Sequence, residues 1–189
     1  MKMFPRVLAL LAAGFLSFAV VTHAQDAKPK LSVSGQVIAV DTATKSIKIK
    51  SKEGEETVKY EDGTKFEISK PATIEDIKEG DEAKVNGALA EDQTSIDATL
   101  IECLRADTKI PAAVRTFDKS VIGKLSKEGD HWSIAVADKK IAVKTNEKTK
   151  VKVRENAKVE DVTAGKAIST MLKKGTPELT AARVQLPNG

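Results

Sequence analysis

The residues best placed for chemistry in this chain are basic. Lys148, Lys150, Lys152 and Arg154 recur at every second position, the spacing that puts side chains on one face of a β-strand. Thr149, Val151 and Val153 then point the opposite way, toward a core. Such a stripe suits phosphate or sulfate groups, a glycan, anionic lipid or an acidic protein surface. Its plainer reading is a solvated strand whose lysines discourage edge-to-edge pairing. Lys139, Lys140 and Lys144 lie close by in sequence. Trp132 stands in phase with Ile134 and Val136, as a core residue would, although an aromatic at a barrel mouth also serves as a ligand platform.

Other chemistries fare worse. Beyond residue 24, His131 is the one histidine and Cys103 the one cysteine, too few for a zinc site with three or four nitrogen and sulfur ligands. His131 follows Asp130 in a hairpin turn, a poor setting for a catalytic triad. Cys103 exchanges with Leu186 in the alignment described below and reads as buried apolar filler. Carboxylates cluster at Glu53/Glu55/Glu56, Glu61/Asp62 and Asp81/Glu82, without the spacing of an EF-hand loop. No nucleophile, base and oxyanion donor fall together, so the expectation is a non-enzymatic protein without metal or cofactor.

The first 24 residues read as a secretory signal. Lys2 and Arg6 precede the apolar stretch Val7–Val21, and Thr22-His23-Ala24 fits cleavage before Gln25. A periplasmic or secreted location follows, with no membrane anchor after cleavage. Export and scarce aromatics argue against nucleic acid as a partner, since single-strand binders stack bases on aromatic rings. Without Lys2 and Arg6 the charge is 29 basic against 27 acidic residues. The distribution is uneven. Residues 51–102 carry 6 basic and 15 acidic residues, residues 103–189 carry 18 and 10.

Positioning elements come from an internal repeat. Thr64–Val85 aligns without a gap to Thr149–Thr170, with identities at Thr64/Thr149, Lys65/Lys150, Ala72/Ala157, Glu75/Glu160, Asp76/Asp161 and Gly80/Gly165. Gly35 matches Gly123 upstream, and Ile96–Cys103 matches Leu179–Leu186 downstream. Within each copy apolar residues alternate, as at Ile47/Ile49, Val58/Tyr60 and Phe66/Ile68, the mark of half-buried strands. Thr73 and Asp76 cap a short helix that Gly80 ends. The order of five strands with one short helix between the third and fourth is that of an OB-fold barrel. The predicted fold is therefore all-β: a linker at 25–33, a first OB-like barrel at 34–103, a linker at 104–115 and a second barrel at 116–187.

The Gly35-x-Val37-x-x-Val40-Asp41 strand, the Ala72–Asp81 segment and the closing Ile96–Cys103 strand resemble a bacterial domain-of-unknown-function family of exported, often tandem, small OB-like β-barrel modules. The resemblance spans most of the chain beyond the signal. Its motifs are structural: a turn glycine, a cap and core positions. It implies fold and export, and no catalytic residue. The second copy departs from it with Lys166 in place of Asp81 and Lys124 in place of Gln36. The functional expectation is contact between the basic face of the second copy and an acidic protein, glycan or other polyanion of the cell envelope. Salt-sensitive self-association, acidic half against basic half, is the alternative.

Overall fold

The structure, a computed structural model, describes residues 30–187 except Thr108 and Pro177. The signal expected at 1–24, and with it the expectation of export, lies outside the described residues. The fold is all-β, with 13 strands: β1 (Ser32–Asp41), β2 (Ser46–Ser51), β3 (Gly54–Lys59), β4 (Lys65–Ala72), β5 (Glu82–Leu89), β6 (Ser95–Leu104), β7 (Ala113–Arg115), β8 (Ser120–Glu128), β9 (His131–Val136), β10 (Lys139–Lys144), β11 (Lys150–Asn156), β12 (Ala167–Leu172) and β13 (Ala181–Leu186). The short helices are single 3-10 turns, Ile74–Asp76 and Val159–Asp161, each following the fourth long strand of its half rather than the third. Three residues are too few for a helical hydrogen-bond ladder to sustain itself. Asp76 stabilises the first turn by accepting from the Thr73 N–H at 2.8 Å and the Thr73 hydroxyl at 3.0 Å. Gly80 and Gly165 then reverse the chain at φ +86° and +87°, a region that glycine enters without steric cost.

Strand pairing departs from two consecutive barrels at 34–103 and 116–187. Strands β10-β9-β8-β5-β6 are joined in that order, and β10 pairs back onto β6, closing a five-stranded barrel. Three of its strands come from the second half of the chain and two from the first. Of the other strands, five run β3-β2-β1-β12-β13, with a single bridge from Lys59 to Thr180 linking β3 to the run into β13. This set takes three strands from the first half and two from the second. Each half therefore lends its last hairpin to the other.

The exchange has a local cause. Strands β4 and β11 pair antiparallel, with Ser69 directly opposite Arg154, and these two residues are also equivalent in the sequence alignment. Equivalent strands meeting antiparallel at equivalent residues are related by a local two-fold rotation. The chain leaving each of them is carried into the other half. Strand β4 lies beside β13, and β11 beside β6, both parallel.

Two cores result. One gathers Ala83, Val85, Ile96, Ile101 and Cys103 with Val121, Leu125, Trp132, Ile134 and Ile141. The other gathers Val33, Val37, Ile47, Ile49 and Val58 with Ile168, Leu172, Val184 and Leu186. Burying a Val, Leu or Ile side chain contributes about 2 kcal/mol, and each core draws that from both halves. Hydrogen bonds repeat in step. The Thr64 hydroxyl donates to Ala181 O at 2.9 Å and that of Thr149 to Ala98 O at 2.8 Å. Gly80 N–H reaches Leu125 O at 2.8 Å, and Gly165 N–H reaches Val37 O at 2.9 Å.

Boundaries shift accordingly. Strand β1 starts at Ser32, inside the stretch read as an N-terminal linker. The 104–115 connection is structured at both ends, because Leu104 closes β6 and Ala113–Arg115 pair with Ser120–Ile122. Period-two alternation marks strand interiors well and their ends poorly.

Candidate functional site

The basic stripe splits into two environments. Val151 and Val153 of β11 are buried in the barrel core, so Lys150, Lys152 and Arg154 occupy the opposite face, as alternation requires. Lys148 precedes the strand, in a turn where its backbone N–H donates to Asn146 Oδ1 at 2.8 Å. The stripe is thus three residues on a strand and one on a loop.

Arg154 is committed internally. Its guanidinium clasps Glu102 of β6 through Nη2 at 2.7 Å and Nε at 3.1 Å, the two-pronged geometry in which arginine binds carboxylate most strongly. Nη1 also faces Glu67 of β4 at 3.7 Å. Glu67 is 1% exposed. It accepts from Gln185 at 3.0 Å and lies 3.5 Å from Arg183 Nε, while its Oε1 has no hydrogen-bond partner. Ser69 donates to Glu102 at 3.1 Å. Lys152 donates to the Pro187 carbonyl at 3.1 Å. Four strands, β6, β11, β4 and β13, contribute to this row, so Arg154 acts as an internal counter-ion at the junction of the halves.

Lys148 and Lys150 differ: both side chains are exposed, and neither forms an ion pair among the described residues. Lys144 of β10 is exposed as well. It lies opposite Asp97 of β6, with Lys150 opposite Leu100. Three residues along β6 separate them by about 10 Å. Beside Lys148, Thr73, Thr145, Asn146, Glu147 and Thr149 help to line a cleft of about 460 Å³. The outward cationic surface is therefore Lys144, Lys148 and Lys150, with Arg154 withdrawn from it. Sequence alternation identified the face. The carboxylates that neutralise its far end come from distant strands and leave no local signal.

Trp132 is 8% exposed and packs in the barrel core. Lys127 Nζ lies 5.6 Å from its ring centroid, within reach of a cation–π contact. His131 is exposed. Cys103 is fully buried, and desolvation, reinforced by the neighbouring Asp81 carboxylate, pushes its thiol up to about 12, which leaves almost no thiolate near neutrality. Burial alone would raise the Asp81 carboxyl, yet hydrogen bonds from Arg105 and the Lys78 N–H outweigh it and hold the group below its ordinary value. Arg105 Nη2 reaches Asp81 Oδ2 at 2.7 Å and the Asp76 carbonyl at 2.6 Å. Among the described residues no three of His, Cys, Asp and Glu gather to hold a metal ion, and no helix is long and apolar enough to cross a membrane.

Comparison with known proteins finds no matching family, no matching curated protein and no matching solved structure.

Proposed function

We propose that this chain is an exported, non-enzymatic binding protein of the cell envelope, built from two copies of an OB-like module. Its contact with an acidic or polyanionic partner runs through the basic face of the second copy. The observation that carries the reading is the contrast within one stripe. Lys148 and Lys150 stay exposed and unpaired among the described residues, while Arg154, two turns of the pleat away, is neutralised by Glu102 and Glu67. Exposed cations held in no ion pair project a field that attracts anions. The two copies explain why Thr64 and Thr149, Gly80 and Gly165, and Cys103 and Leu186 hold matching places.

The test is retention on a sulfated polysaccharide matrix. The double substitution Lys148→Glu and Lys150→Glu should elute at clearly lower salt than the parent, because exposed charge interactions are screened over about 10 Å at 0.1 M salt. Arg154→Gln, which alters an internal pair, should leave elution nearly unchanged. Equal retention of the double variant and the parent would remove the reading.

A further inference from the structure

The two halves treat one equivalent surface differently. Gly123 of β8 and Gly35 of β1 are aligned, and each lets its strand pass close over a neighbour. A Cβ on Gly123 would stand 2.0 Å from the Ala135 carbonyl oxygen, and one on Gly35 would stand 2.2 Å from that of Lys50. Their flanks correspond as well, with Gly123 opposite Ala83 of β5 and Gly35 opposite Ile168 of β12. Over Gly123 the chain supplies its own cover. Ile110 and Ala112 face Gly123, Lys124 and Ala135 across a cleft of about 240 Å³, and the extended segment continues as β7, pairing antiparallel with Ser120–Ile122.

Over Gly35 no described segment takes that place. The described chain reaches the site only at Pro187, which with Gly35, Gln36, Lys50, Ala167 and Ile168 lines an open groove of about 720 Å³. It adjoins a cleft of about 300 Å³ at Ser32–Ser34, walled by Lys30, Lys52, Glu53 and Glu56. The Leu31 carbonyl accepts from Leu172 N–H toward β12. Backbone groups alternate sides along an extended strand, so those of Ser32 and Ser34 face away from β12. Strand β2 pairs with β1 only from Gly35 onward, leaving them an open edge among the described residues. Ser120 and Ile122, their equivalents, are the residues that β7 covers. At the end of this edge Leu31 and Met171 are each 54% exposed.

We propose that the groove over Gly35 docks an extended segment of a partner protein, antiparallel to β1, with the chemistry of the segment that fills the equivalent groove: Ile110-Pro111-Ala112-Ala113-Val114-Arg115. That means an apolar anchor, proline, small side chains that clear the glycine bend, and a basic residue at the end beside Ser32. Adding a strand to an open sheet edge gains affinity from main-chain hydrogen bonds and selectivity from alternate side chains. Glu53 and Glu56 border the edge where the basic residue would arrive, and it would share them with Lys30, which both already hold.

The probe is the synthetic peptide Ile-Pro-Ala-Ala-Val-Arg, titrated into the full chain lacking residues 1–24 and followed by amide chemical shifts, with a scrambled peptide alongside. Perturbation should concentrate at Ser32–Gly35, Lys50–Lys52 and Gly165–Ala167 and be at least tenfold weaker for the scrambled sequence. Two variants block the site differently. Ser34→Pro removes an edge N–H, and Ala167→Glu obstructs the groove from an exposed position without touching the backbone. Each should weaken binding at least tenfold, and Ala167→Glu alone decides if Ser34→Pro fails to fold. No perturbation at millimolar peptide, or binding that Ala167→Glu leaves intact, overturns the proposal. So does protection of the Ser32 and Ser34 amides from exchange in the free chain, whether independent of concentration (the chain's own N-terminal residues as occupant) or rising with it (a second copy).

Discussion

The barrel that closes through β10 and β6 and the strand set around β1 share one plan but carry different loads. In the barrel, the outer face at Gly123 is covered by Ile110–Arg115, and Arg105 ties Asp81 to the turn at Asp76. In the β1 set, the face at Gly35 is open among the described residues, and Lys166 stands where Asp81 would be, so that tie has no counterpart among them. The framework contacts are nonetheless the same in both, down to the Thr64 and Thr149 hydroxyls and the Gly80 and Gly165 N–H groups. The lesson is that the alternating apolar faces and glycine bends maintain the architecture. Cover and charge are free to differ, and that is where the two regions can acquire different tasks.

The glycine bends test the equivalence most severely. Gly123→Ala and Gly35→Ala each drive a methyl group into a backbone carbonyl that only a strand shift can relieve. Each should lower unfolding free energy by about 3 kcal/mol, measured by urea denaturation. A neutral Gly35→Ala would show that the two bends are not counterparts.

Next in size is the junction, where the local two-fold is broken by charge. Glu67 aligns with Lys152, and Ser69 with Arg154. Glu67→Ala strips a buried carboxylate from Arg183 and Gln185 and should destabilise by about 2 kcal/mol. Lys152→Ala, at the matching position but partly exposed, should cost less than about 1 kcal/mol. Similar losses at the two positions would mean that the buried carboxylate adds nothing to the junction.

The smallest effect concerns the Asp81–Arg105 pair, which the barrel has and the β1 set lacks. Arg105→Ala should cost about 1 kcal/mol at pH 7. Because the Asp81 carboxyl is depressed in the folded chain, its contribution is complete above the unfolded value of about 3.9 and fades as pH falls through the lower folded value. The difference between parent and Arg105→Ala in chemical denaturation should therefore shrink below about pH 4. A gap that stayed constant down to pH 2 would remove the ionic account.

Much of this was legible in the residues themselves. Period-two alternation located β2, β3, β9 and β10 and the core-facing sides of β4 and β11, because apolar side chains gather on the side turned to the core, though it gave no sign that Glu67 on the other side of β4 is buried too. Gly80 and Gly165 marked turns that require left-handed backbone. Exchangeability with Leu186 marked Cys103 as core, and the structure buries both completely. The stripe from Lys148 to Arg154 was legible as a face, though not as two environments, since Glu67 and Glu102 lie about 87 and 52 residues before Arg154 in the chain.

Alternation specifies which side of a strand is apolar and says nothing about which other strand will cover it. The hairpins β5–β6 and β12–β13 would suit either core by pattern alone, and the antiparallel meeting of β4 with β11 at Ser69 and Arg154 sends each across to the other half. Tertiary structure likewise decided that Ile110–Arg115 would lie over Gly123 while Gly35 remained uncovered among the described residues. Local sequence thus dictated the strands, their inward faces and their bends, because those depend on sterics and solvent within a few residues. Long-range pairing dictated the exchange, the buried ion row and the open groove, because each depends on neighbours brought together only when the sheet forms.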